Sequence, residues 1–203
     1  MKLLILSLLL SLSFTGGAQF SVKSIDVQSG ATLMDWDGFI RGSIVYSKRW
    51  GYFLGSSLKV RNSPSSKGYI LASINYRKTH TDRTTNFERI KLDEFALTLG
   101  LGQDWKKMRF SFNSSFIFVS GKEKIDNTPM NGIDLANVEN FYLTLSGKLA
   151  FSITNKLALF VEQAFFETKV YHTYTMRRGE RFEVPDYPSW TLLGLSYAIS
   201  KRD

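Results

Sequence analysis

Apolar and polar residues alternate one by one along most of this chain. From Phe141 to Ile153, Phe141, Leu143, Leu145, Leu149, Phe151 and Ile153 fall on one face, and Tyr142, Thr144, Ser146, Lys148, Ala150 and Ser152 on the other. Met108 to Phe118 repeats the pattern, with Met108, Phe110, Phe112, Phe116 and Phe118 opposed by Arg109, Ser111, Asn113, Ser115 and the less polar Ile117. A period of two belongs to a strand whose faces meet different surroundings, and it rejects a helical stripe. Weaker versions at Ile40–Tyr46, Tyr52–Val60, Ile70–Tyr76, Phe95–Leu101, Leu157–Phe166 and Leu193–Ile199 bring the expected strand count to eight.

The composition suits such strands. Sixteen Phe, nine Tyr and four Trp stand against only four Pro; aromatic rings fit pleated surfaces, and proline interrupts ladders. There is no cysteine, so an exported chain of this kind holds together without disulfides, through a closed hydrogen-bond ladder or a large core. The formal net charge is +8, but Lys and Arg are scattered among acids. No basic stripe tracks a phosphate backbone, so nucleic acid is not an expected partner.

Residues 1–18 read as an export signal. Lys2 gives the positive start, Leu3–Leu12 the apolar run, and Gly16-Gly17-Ala18 the small residues of a cleavage site. That run is too short to span a bilayer, and no later stretch reaches the roughly 18 to 20 continuous apolar residues a spanning helix needs. If such a chain enters a membrane, it must do so as strands. The expected organisation is a signal peptide at 1–18, a leader segment or an added strand pair at 19–37, which would raise the count to ten, and a single barrel at 38–203.

The connections fall into two expected sets. Ser63–Gly68, Gln103–Lys107 and Thr154–Lys156 read as short turns at alternate positions, whereas Gly121–Glu139 and Met176–Pro188 read as long polar loops. Tight periplasmic turns and longer outer loops distinguish the two ends of an outer-membrane barrel. Only Lys48–Gly51, the first expected outer connection, is unusually tight. A soluble ligand-carrying barrel also alternates, with its apolar face inward, but the polar face here is small: Gly55 and Ser57, Thr98, Gly100 and Gly102, Gly194, Ser196 and Ala198. Such residues fit a cramped lumen, whereas a water-facing exterior carries many Lys and Glu. Aromatics near the expected strand ends, Trp50, Tyr52, Tyr76, Trp105, Tyr142, Tyr171 and Trp190, are candidates for interfacial girdles.

With these features the chain resembles the small outer-membrane β-barrel family that includes the OmpX-like proteins and the transmembrane domain of OmpA. The resemblance covers about residues 38–201 and rests on the export signal, strand count, turn asymmetry and last strand, Trp190–Ile199. It implies an eight-stranded antiparallel up-and-down transmembrane barrel in the bacterial outer membrane, surrounded by lipid and lipopolysaccharide. It also implies a role for Gly194, Tyr197 and Ile199 as the C-terminal signal met by the barrel-assembly machinery. Many family members end on an aromatic residue, whereas this chain continues through Ser200–Asp203.

Following each strand's inward register places Arg41, Lys59, Arg61, Arg77, Glu94, Arg109, Lys148 and Glu162 in the lumen. Eight strands leave no aqueous bore, so these charges need partners. Glu94 and Glu162 are the expected centres of a network with Arg109, Lys148 or Arg41, read as structural filling or as a switchable ion pair gating a small conductance. Several strands outrun the roughly 9 to 11 residues that span a bilayer, and Arg77–Arg83 is polar on both faces. Strands three to seven are therefore expected to project outward as an uneven sheet whose edge could pair with a surface protein partner. Lys48-Arg49 and Arg177-Arg178 are placed to touch lipopolysaccharide phosphates.

Chemistry finds little material. His172 near Thr173 and Thr175, with Glu162 or Glu167, gives a remote acyl-hydrolase pattern, but Tyr174 stands where a Ser two residues on would be wanted. His80 lies beside Thr79 and Thr81 in a polar ribbon. Two separated histidines without cysteine are poor zinc ligands. Asp35 and Asp37, or Asp93 and Glu94, make no paired-carboxylate site, and no phosphate cradle or nucleophile elbow occurs. The expectation is a non-enzymatic barrel without cofactor, structural or adhesive in role, with a minor channel and a lipid-modifying enzyme as alternatives.

Overall fold

The computed structural model describes residues 21–40, 43–61, 63, 65–80, 87–125, 133–168, 170–176 and 181–201. Its strands, in chain order, are β1 (Ser21–Ile40), β2 (Ser43–Arg61), β3 (Gly68–His80), β4 (Phe87–Trp105), β5 (Met108–Ile125), β6 (Ile133–Ser152), β7 (Leu157–Glu167), β8 (Val170–Met176) and β9 (Arg181–Lys201). Each pairs antiparallel with the next along the sheet, and β1 pairs with β9, closing it. β7 and β8 both lie between β6 and β9 and form two lengths of one stave. The architecture is thus a closed, eight-stave, up-and-down barrel.

The wall follows from the alternation. β3 alternates buried and accessible residues along its whole length, and β7 does so until Phe165. Phe95, Leu97, Leu99 and Leu101 on β4 are exposed. So are Phe110, Phe112, Phe116 and Phe118 on β5, and Leu193, Leu195, Tyr197 and Ile199 on β9. Between them Thr98, Asn113, Ser115, Ser146 and Ser196 are buried. The barrel is apolar outside and polar within, the inverse of a water-soluble one.

The narrow lumen is filled by pairing large side chains with absent ones. Phe53 and Phe160, both buried, stand with ring centroids 5.8 Å apart. A Cβ on Gly194 would lie 2.6 Å from Phe53 Cζ and 3.1 Å from Phe160 Cζ, so only glycine admits both rings. Gly102 likewise yields its place to the Tyr69 ring.

The structure revises the strand assignments at the N-terminal side. The segment read as a leader or a strand pair is one strand, β1, and Ile40–Tyr46 and Tyr52–Val60 belong largely to a single strand, β2, running through Lys48–Gly51. Backbone register holds that stretch in the ladder, with Asp35 opposite Lys48 and Met34 opposite Arg49. The count of eight survives because one missed strand offsets one divided strand. Most of 121–139 and 176–188, read as loops, is also strand, since β5, β6, β8 and β9 continue pairing there. The export signal at 1–18 lies outside the described residues.

Two ends follow from this arrangement. At the turn end, three short connections fold back on the wall, through bonds from Asp104 N to Lys67 O (2.9 Å), Ser152 N to Lys107 O (2.7 Å) and Ala198 N to Lys156 O (2.8 Å). Lys106 takes a left-handed φ of 54° in the tight β4–β5 turn. At the flared end the strands run on unevenly, with β2 extending past its last β3 pair, Trp50 and His80.

Candidate functional site: the charged lumen

Inward parity brings polar side chains from every stave into a narrow lumen, where a buried charge needs a partner in the wall. Four groups result. In the middle, Lys148 Nζ lies 3.5 Å from Glu162 Oε2 and donates to Gln28 Oε1 at 2.8 Å. Glu162 Oε1 accepts from Asn113 Nδ2 at 2.9 Å and Ser146 Oγ at 2.7 Å, while Gln28 Nε2 donates to Ser57 Oγ at 2.7 Å. Lys148 also sits 3.7 Å above the Phe160 ring.

Below this group, towards the turn end, Asp26 bonds Lys59 and accepts from Ser196 Oγ at 3.2 Å, with Arg109 Nη1 4.0 Å away. Lower still, Asp104 pairs with Lys23 and with Arg61 at 2.9 Å. Towards the flared end, Arg77 and Glu94 are buried together at 4.0 Å. Tyr142 Oη donates to Glu94 Oε1 at 2.9 Å, and the Arg77 guanidinium lies 4.0 Å from the Trp190 ring centre. Buried Met34, Leu92 and Ile117 are further lumen-facing residues.

Lys59, Arg77, Glu94, Arg109, Lys148 and Glu162 all stand inside, and Glu162 meets Lys148, one of the partners expected for it, but the other partnerships differ from expectation. Glu94 pairs with Arg77, and Arg109 faces Asp26. Asp26, Lys23 and Asp104 were missed, the first two because they lie on β1. Arg41 is outside the described residues.

Among the aromatics, Trp50, Tyr52, Tyr76 and Trp105 are exposed, Trp105 at 68%. Tyr142 and Trp190, expected in a girdle, are instead 0% and 1% exposed inside the barrel. Tyr142 shares its parity with Thr144 and Ser146, and Trp190 with Gly194 and Ser196, so the pleat turns both inward. Tyr171 lies in β8, and its side chain is outside the description. In the last strand Gly194 faces inward, while Tyr197 and Ile199 face out. Among the described residues, no group of three His, Cys, Asp or Glu could hold a metal ion.

A closed eight-stave barrel with an apolar exterior and a charged, filled interior defines the fold of the small outer-membrane β-barrels. Solved structures of that class superpose on it. Ail, the attachment invasion locus protein of Yersinia pestis, matches with a TM-score of 0.55 at 8% identity over 87% of this chain and 99% of Ail. Ail in complex with the heparin analogue sucrose octasulfate gives 0.50 at 10% identity, over 87% and 99%. The outer membrane protein OprG from Pseudomonas aeruginosa gives 0.52 at 12% identity, over 88% and 97%. At these identities the likeness is one of fold. No protein-family model matches the chain, and no curated protein matches it in sequence.

Proposed function

We propose that this chain is a non-enzymatic outer-membrane barrel, closed to solute flow, that presents the flared ends of its strands at the cell surface to bind anionic glycans. The observation that carries this reading is the continuation of the ladder beyond the apolar belt. β6 pairs with β8 from Ile133 to Asn137, and β8 with β9 from Val170 to Thr175, in sequences such as Asp134, Asn137, His172, Thr173, Arg181 and Glu183 that suit water rather than lipid. A paired ribbon held above a rigid wall presents side chains at little entropic cost. The filled lumen, with Arg77, Glu94, Lys148 and Glu162 in mutual contact with their neighbours, argues against the conducting alternative.

We assign the glycan-binding role to Lys48 and Arg49, which lie on β2 beyond its last β3 pair, and to Arg177 and Arg178, which follow β8 in the sequence; the anions that suit such cations are lipopolysaccharide phosphates and sulfated glycans. Ail, which shares the fold, has been solved with a sulfated sugar. In this orientation the turn end faces the periplasm, and Gly194, Tyr197 and Ile199 serve in delivery by the assembly machinery.

The test uses cells displaying the full chain on heparin-coated surfaces, alongside planar-bilayer recording of the purified protein. Adhesion above vector controls, reduced in a Lys48→Gln/Arg49→Gln/Arg177→Gln/Arg178→Gln variant, with no steady conductance, is the expected result. Adhesion equal to controls, or persistent channel openings, overturns the reading.

A further inference from the structure

The turn end of the lumen opens into a cavity of about 300 Å³ that the surface-binding role leaves unused. Its lining includes five cations, Lys23, Arg61, Lys106, Arg109 and Lys156, against two carboxylates, Asp26 and Asp104. Those carboxylates are heavily shared. Asp26 already bonds Lys59 and accepts Ser196, and Asp104 receives both Lys23 and Arg61. The cations come from separate places around the mouth: β1, β2, the β4–β5 turn with the start of β5, and the β6–β7 turn. The bonds that hold the turns against the wall, including Ala198 N to Lys156 O, fix their backbones around this mouth.

The Arg109 guanidinium is incompletely satisfied, with its Nε buried without a hydrogen-bond partner and its Nη1 4.0 Å from Asp26 Oδ2. Concentrating positive charge in a concavity walled by low-dielectric protein focuses the field on whatever anion enters. Two carboxylates offset five cations there, so an entering anion relieves the remaining repulsion as well as adding contacts.

We infer that this vestibule binds a small tetrahedral oxyanion, a phosphate or sulfate group, between Arg61 and Arg109 from the wall and Lys106 and Lys156 from the turns. The volume is at the lower end of the range of small-molecule sites, enough for the oxyanion and a modest attached group. Two sources offer that chemistry at this end of an outer-membrane barrel: a soluble phosphate ester, and a phospholipid headgroup of the adjoining leaflet.

The experiment titrates the full chain, refolded in zwitterionic detergent at constant ionic strength, with inorganic phosphate and with pyrophosphate by isothermal calorimetry. Saturable one-site binding is expected, tighter for pyrophosphate, and a thermal midpoint that rises with ligand should accompany it. Lys106→Gln and Lys156→Gln alter exposed turn residues and should each weaken binding by about five-fold, as removal of one cation at a partly screened site does. Both variants should keep the wild-type heat-modifiable gel mobility. Repeating the titration in nanodiscs separates the sources: weaker phosphate binding in anionic than in zwitterionic lipid assigns the site to headgroups, and equal binding assigns it to a soluble ester. Absence of saturable binding, or affinity unchanged in the folded double variant, overturns the inference.

Discussion

The ring of Phe53 occupies the space where Gly194 has no side chain, its Cζ 2.6 Å from the position a Cβ would take. Ser29 O stands 2.5 Å from the same position, on the strand that closes the barrel. Gly194→Ala must therefore push both a buried ring and the β1–β9 seam. A loss of about 1–3 kcal/mol is expected, as for other overpacked cores, measured by urea unfolding from lipid vesicles. Phe53→Leu in the same chain should recover part of it, because only the ring contact is relieved.

Glu162 holds the charge of Lys148 and accepts two further hydrogen bonds. Glu162→Gln keeps the shape and leaves a buried ammonium without its counter-charge, so a cost of about 3–5 kcal/mol is expected. Lys148→Met added to Glu162→Gln should restore more than half of that stability in the same unfolding assay. A double variant no better than the single one would show that the pair contributes shape rather than charge balance.

Leu99 is exposed at 54% in the middle of an apolar belt. If acyl chains cover that belt, Leu99→Arg should cost about 2–4 kcal/mol of folding free energy in vesicles, whereas Gln103→Arg nearer the turn end should cost about 0–1 kcal/mol. Equal costs at the two depths would argue that the belt does not sit in hydrocarbon.

Tryptophan depth gives an independent check on which rings face outward. In variants retaining one tryptophan each, brominated acyl chains should quench Trp105 and Trp50 strongly and leave Trp190, enclosed with the Arg77 guanidinium, largely unquenched. Strong quenching of Trp190 would contradict its inward placement.

Parity made the belt legible. Phe110, Phe112, Phe116 and Phe118 could only share a face, which turns Arg109 to the other, and the same parity on β6 and β7 turns Lys148 and Glu162 inward. β1 escaped because its outward positions include Ser29 and Ala31, so the polarity contrast that marks a half-lipid strand fades there although its backbone pairing is complete. With β1 went Lys23 and Asp26, and with them the partner of Arg109. β2 was cut in two at Lys48–Gly51 because two cations followed closely by a glycine read as a turn, although the backbone there stays in the ladder. Tyr142 and Trp190 illustrate the opposite error, in which residue type suggested a girdle while parity already pointed inward.

The seam between β1 and β9 joins the beginning of the described chain to its end. Any nascent or truncated form lacking the final strand has two raw ladder edges that hydrocarbon cannot satisfy. Insertion must then wait for β9 to arrive, so the cell handles the sheet as a finished unit or not at all, and a stop codon ahead of Arg181 should yield not a weakened barrel but none.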